Sequence, residues 1–156
     1  MGRWNIRWSI LLVLWCVTGV KLAAMKVESL DRGWFFNRGY ESQAADKVTV
    51  ELPHTWNAAD AMFGNVNYYR GMSTYSRFIV VPSSENFKRV FLRVKAAQTV
   101  ADVYLDNHFV AQHKGGYTSF TVELTHLIRR GEKQKLDIRV SNAQTMEIAP
   151  ICGYFN

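Results

Sequence analysis

Hydrophobic and polar residues alternate most cleanly between Arg89 and Leu124. Val90, Leu92 and Val94 share one side of the chain, and Arg89, Arg93 and Lys95 share the other. That period of two is the signature of a half-buried strand. Further strands are predicted over 99–105 and 108–113, with Asp106-Asn107 between them. Aspartate and asparagine tolerate positive φ better than other side-chain-bearing residues, so the pair predicts a two-residue hairpin turn. A turn centred there sets Leu105 opposite His108, Tyr104 opposite Phe109, Val103 opposite Val110 and Asp102 opposite Ala111. A strand over 119–124 places Phe120, Val122 and Leu124 on one face.

The rest of the chain has the same rhythm. Leu30, Trp34 and Phe36 predict an opening strand with an aromatic inner side. Over 47–52, Val48, Val50 and Leu52 point inward and Thr49 and Glu51 outward, until Pro53, which cannot donate to a ladder, ends the strand. Residues 54–71 show no period and contain Asn57, Gly64, Asn65 and Asn67, so they predict a long loop, the kind of segment that often carries function. Alternation returns over 73–81, with Tyr75, Arg77 and Ile79 opposed to Ser76, Phe78 and Val80. Thr125 is expected to cap one helical turn, His126 to Arg130, closed by Gly131. Leu136, Ile138 and Val140 give a last strand. Short, evenly spaced strands broken by turn residues describe an all-β fold, an antiparallel β-sandwich.

The first residues do not fit that pattern. Arg3 and Arg7 precede an unbroken apolar run from Trp8 to Val20, and Lys21-Leu22-Ala23-Ala24 follows. A basic start, a short apolar middle and small residues at the end make 1–24 a secretory signal peptide with cleavage expected after Ala24. An uncleaved anchor and a cytoplasmic start at Met25 are the competing readings. Cleavage leaves 25–156 as one exported domain, periplasmic or extracellular and free of the membrane. It leaves Cys152 as the sole cysteine, so stability must come from packing. It also removes three of the 19 basic residues, leaving 16 against 13 acidic ones. The remaining lysines and arginines alternate along strands or gather in one turn (Arg129, Arg130, Lys133, Lys135), which reads as a solvated face. No nucleic-acid partner is expected.

Chemistry-bearing motifs are sparse. The sequence holds no phosphate-binding glycine loop, zinc-protease helix, paired-cysteine site or nucleophile elbow. His108 and His113, five apart on one strand, are expected on opposite faces and so cannot chelate one ion. His54 and His126 have no readable partner. No metal or cofactor is expected. Trp34, Trp56, Tyr68 and Tyr69 could stack on a sugar, but core packing is the stronger reading for Trp34 and Trp56. Arg70 is expected to pair with a carboxylate or to stack on a neighbouring tyrosine.

Several words of the sequence, VADVYLDN, HKGGYTSFTVELT, LIRRGE, GWFF, VELPHTWN, NYYRG and IAPICGYFN, occur in an order and spacing that resembles glycoside hydrolase family 2. The similarity is to that family's N-terminal sugar-binding jelly-roll domain and covers nearly everything after about residue 28. It implies a jelly-roll sandwich packed beside a later (β/α)-barrel that carries both catalytic glutamates, so no hydrolysis is expected from this chain alone. It also implies that loop residues contact the terminal sugar of a glycan. The candidates are Asn57, Asn65 and Asn67, whose amides both donate to and accept from hydroxyls; taken singly, each reads first as a turn asparagine. Tyr154 stands where β-galactosidase-like members carry an acid, which points away from galactose. The family continues with one more strand where this chain stops. The expectation is therefore a fragment lacking its last strand and its catalytic domains, marginally stable or prone to aggregate. A free-standing carbohydrate-binding module and a sandwich interaction domain with no sugar ligand are the alternatives.

Overall fold

The computed structural model describes residues 25–39, 47–58, 68–84 and 88–143. The regular elements given in these segments are eight strands: β1 (Trp34–Arg38), β2 (Val48–Val50), β3 (Met72–Val80), β4 (Phe91–Val94), β5 (Val100–Leu105), β6 (His108–Lys114), β7 (Phe120–Glu123) and β8 (Lys133–Ser141). They form a six-stranded sheet in the order β2-β1-β3-β8-β5-β6 and a two-stranded sheet β4-β7. Every pairing is antiparallel. The fold is the expected antiparallel β-sandwich.

Alternation explains which face is inside. Trp34, Phe36 and Val50, then Tyr75, then Leu136, Ile138 and Val140, then Ala101, Val103 and Leu105 make up the larger sheet's share of the core. Leu92, Val122 and Leu124 supply the smaller sheet's share. Complete burial of each large aliphatic or aromatic among them contributes about 1.5–3 kcal/mol. The opening segment is tied down by polar groups: the Trp34 indole N–H donates to the Leu30 carbonyl, and Arg77 donates to the carbonyls of Leu30 and Arg32. Leu52 N–H also reaches the Asp31 carbonyl at 2.7 Å.

The hairpin turn forms where expected, with Asp106 and Asn107 at φ 47° and 66°. Leu105 faces His108, and Tyr104 faces Phe109 with the rings edge to face, 5.6 Å apart. Beyond that, the expected register is wrong by one residue. Val103 pairs with Ala111 and Asp102 with Gln112, because β6 accommodates an extra residue at the shift beside Val103 and Tyr104. Such a bulge restores alternation with the opposite parity. His113 is thereby paired with Ala101 and His108 with Leu105, residues on the same side of β5, so the two histidines do not face opposite ways. His113 stacks on Phe120 at 4.3 Å, and His108 Nδ1 lies 3.1 Å from the Asp106 carbonyl. No cluster of three metal-binding side chains exists among the described residues.

Two other expectations need correction. Val48 is 59% exposed, at the start of a three-residue strand on the edge of the larger sheet. Thr125 caps no helix: its hydroxyl accepts from Val90 N–H at 3.0 Å and donates to Glu123 at 2.8 Å, stitching the end of β7 to β4. The turn after it closes on Leu124 instead, whose carbonyl accepts from both Leu127 and Ile128 N–H.

Candidate functional site

The chain leaves β2 at Val50, beside Trp34 at the start of β1, and enters β3 at Met72, beyond Arg38 at the other end of β1, so the connection between them crosses from one end of the larger sheet to the other. Pro53 stops the ladder, and the next residues fold back over the aromatic side of β1 and β3. His54 lies 4.7 Å from the Phe36 ring, and the Trp56 ring stacks on Phe36 at 5.9 Å with the planes 18° apart. Tyr75 closes the group at 5.0 Å from Phe36. The Tyr75 hydroxyl and His54 Nδ1 share a 2.9 Å hydrogen bond inside this cluster. Burial pushes the Tyr75 phenol well above its ordinary range and pulls the His54 imidazole below its own. Both groups are therefore neutral at physiological pH, a pairing that suits a wall rather than a proton relay.

A second, more polar group lies beside it. Asn57 is 5% exposed, and its side-chain N–H donates to the Tyr69 carbonyl at 3.1 Å. Asn142, the first residue after β8, donates to the same carbonyl at 3.0 Å and accepts from Gly71 N–H at 2.8 Å. Its own backbone N–H donates to the Gly71 carbonyl at 3.2 Å. The Tyr69 hydroxyl donates to the Met72 carbonyl at 2.8 Å. Arg38 reaches the Trp56 carbonyl at 2.7 Å, with its guanidinium 5.1 Å from the centre of the Tyr69 ring. Gly71 leaves room for this packing, since a Cβ there would meet the Tyr69 hydroxyl at 2.9 Å and one of the two would have to shift. Among the described residues here, Trp56 Nε1, Asn57 Oδ1 and Ser73 Oγ are buried polar side-chain atoms with no hydrogen-bond partner.

Of the expected sugar contacts, Asn57 sits at the root of this loop, while Asn65, Asn67 and Tyr154 lie outside the described residues. The aromatic candidates separate clearly. Trp34 is 2% exposed and belongs to the core, and Trp56 is half-buried against Phe36. Tyr69 is half-buried with its hydroxyl committed to the backbone, whereas Tyr68 is 45% exposed under the Arg70 guanidinium, 5.2 Å from its ring centre. Arg70 thus stacks on its neighbouring tyrosine, as expected. Sequence reasoning passed over Asn142, whose partners stand about seventy positions earlier, and over the His54–Tyr75 pair.

Comparison with known proteins gives the same picture at the level of family. Residues 46–150 match the family model described as the glycosyl hydrolase 2 galactose-binding domain-like family. A β-glucuronidase of Bacteroides fragilis is 36% identical over 127 residues, which is 81% of this chain and 18% of that protein. A β-galactosidase of Thermoanaerobacter pseudethanolicus is 31% identical over 102 residues, 65% of this chain and 14% of that protein. Among solved structures, Bacteroides uniformis β-glucuronidase superposes with a TM-score of 0.72 at 29% identity, covering 83% of this chain and 16% of that one. The chain spans less than a fifth of the length of each of these relatives.

Proposed function

Because this chain belongs to glycoside hydrolase family 2, as the N-terminal domain of its β-glycosidases, we propose that it is a non-catalytic, carbohydrate-facing module. Its parent is an exported enzyme that hydrolyses O-glycosyl bonds with retention. In this reading the chain supplies one wall of a pocket for the terminal sugar of a glycan. The catalytic carboxylates come from domains beyond it. Asn57, Asn65, Asn67 and Tyr154 are the residues assigned to the sugar side. Segment 1–24 directs the chain to the periplasm or the exterior and is removed.

One observation supports this reading above the rest: the long loop after β2 is held at its roots by an ordered polar network, with the exposed Tyr68 beside it. A loop serving only as a connection needs no such anchoring, whereas a recognition loop must be pre-organised to bind. Among the described residues the buried Asn57 amide oxygen has no hydrogen-bond partner, and it is an acceptor of the kind that a hydroxyl satisfies.

The test uses the full chain with methyl β-D-glucuronide and methyl β-D-galactoside in saturation-transfer NMR, and with the corresponding nitrophenyl glycosides as hydrolysis substrates. Contact with a sugar and no release of nitrophenol is the expected outcome. Nitrophenol release at enzyme-like rates would overturn the non-catalytic assignment. Silence toward both sugars, in the chain alone and when joined to the downstream domains of a relative, would overturn the carbohydrate-facing one. Tight binding to a glycan array by the chain alone would instead favour a free-standing carbohydrate-binding module.

A further inference from the structure

We propose that Asn142 is a positioning residue, locking together the roots of the two stretches of chain that bear the sugar-side candidates. The stretch after β2 leaves at Asn57 and returns at Tyr69 to Gly71. The stretch after β8 begins at Asn142 itself. One side-chain amide and one backbone N–H join the two. Asn142 Nδ2 donates to the Tyr69 carbonyl at 3.0 Å, and its Oδ1 accepts from Gly71 N–H at 2.8 Å. The Asn142 backbone N–H donates to the Gly71 carbonyl at 3.2 Å. Asn57 completes the lock from the other root by donating to the same Tyr69 carbonyl, whose two lone pairs are thereby both used.

The chemistry needs an amide at 142. An aspartate would keep the acceptor for Gly71 but place a second oxygen against the Tyr69 carbonyl, and a shorter residue would reach neither group. The lock also has a rigid foundation. Ser141, the preceding residue, is paired with Met72 at the end of the nine-pair ladder between β3 and β8. The two roots of the stretch after β2, at Asn57 and at Tyr69 to Gly71, are thus held together with the start of the stretch after β8. The purpose assigned to the lock rests on the carbohydrate-facing reading; its existence does not.

The experiment compares the full wild-type chain with N142A and N142D by amide hydrogen exchange, thermal melting and saturation transfer from methyl β-D-glucuronide and methyl β-D-galactoside. Loss of the Oδ1 acceptor should raise Gly71 exchange about tenfold in N142A, the factor that corresponds to one to two ordinary hydrogen bonds. N142D should leave Gly71 protected. Sugar affinity should fall about tenfold in both variants, with exchange in the 100–114 hairpin unchanged. Unchanged Gly71 exchange in N142A overturns the proposal, as does a rise of equal size in the hairpin. So does sugar binding that survives N142A intact. If the wild type takes up neither sugar, the carbohydrate-facing reading fails, and the exchange rates alone decide whether the lock exists.

Discussion

Replacing Asp106 probes how the hairpin is fixed to the rest of the sandwich. Its carboxylate accepts from Lys135 N–H, from the Gln134 side-chain amide and from the Arg129 guanidinium, each at 2.8 Å. Gln134 is 2% exposed, so D106A leaves one buried amide N–H and one backbone N–H without partners. Each such orphan costs about 1–3 kcal/mol. Alanine must also adopt φ 47°, at a further cost of about 1–2 kcal/mol. Together these give a loss of about 3–8 kcal/mol, a large part of the roughly 5–15 kcal/mol that holds a domain of this kind together. D106G removes the same bonds without the strain, so it should fall short of D106A by about 1–2 kcal/mol. D106N keeps an acceptor and the turn propensity and should cost about 1 kcal/mol. Urea titrations followed by circular dichroism at pH 7 measure all three. The same partners hold the Asp106 carboxyl below the usual carboxylate range. Its stabilisation is therefore present above the unfolded pKa of about 3.9 and fades as pH falls through the folded value, so the gap between wild type and D106N should close in acid. A D106A chain within about 0.5 kcal/mol of wild type at neutral pH would refute the reasoning.

Other consequences can be checked alongside. Burial lowers the His54 pKa, so the folded chain should lose stability as pH drops below about 6.5 toward the folded value, and NMR titration of the imidazole should place its midpoint below that of a free histidine. Y75F removes the hydroxyl from His54 and should cost about 1 kcal/mol by thermal melting, with no shift in the register of β1 against β3. G71A forces a methyl against the Tyr69 hydroxyl and should destabilise by about 1–3 kcal/mol; a second substitution, Y69L, should return part of that loss, and strict additivity of the two would argue against the clash. Glu123, held down to about 2 by its hydrogen bonds from Arg89 and Thr125, should titrate by NMR well below an ordinary glutamate.

Strand positions were legible because each strand has one covered face, and a period of two survives in sequence wherever that holds. Leu136, Ile138 and Val140, and the turn at Asp106-Asn107, could be placed on that basis alone. The bulge in β6 could not. Phe109, Val110 and Ala111 are all apolar, so an inserted residue leaves no break in the pattern, and the parity of His113 was lost with it. Thr125 misled for a related reason. A threonine before a turn has the same local signature whether its hydroxyl caps a helix or bridges to another strand, and here Val90 N–H claimed it. At the loop end, composition marked the stretch as irregular and rich in asparagine. It held no trace of Asn142, because a side chain whose partners lie about seventy residues away has no local signal.

The position of β8 bears on how the chain can be made. Residues 133–141 are the last described strand in sequence, yet they lie in the middle of the larger sheet, joining β3 on one side to β5 on the other. Until they leave the ribosome, the early ribbons β2-β1-β3 and the hairpin β5-β6 have no common seam, and each presents a bare apolar margin. Assembly therefore has to wait for nearly the whole of this segment to be synthesised, and a nascent chain arrested before Lys133 is two sticky half-sheets rather than a smaller version of the domain.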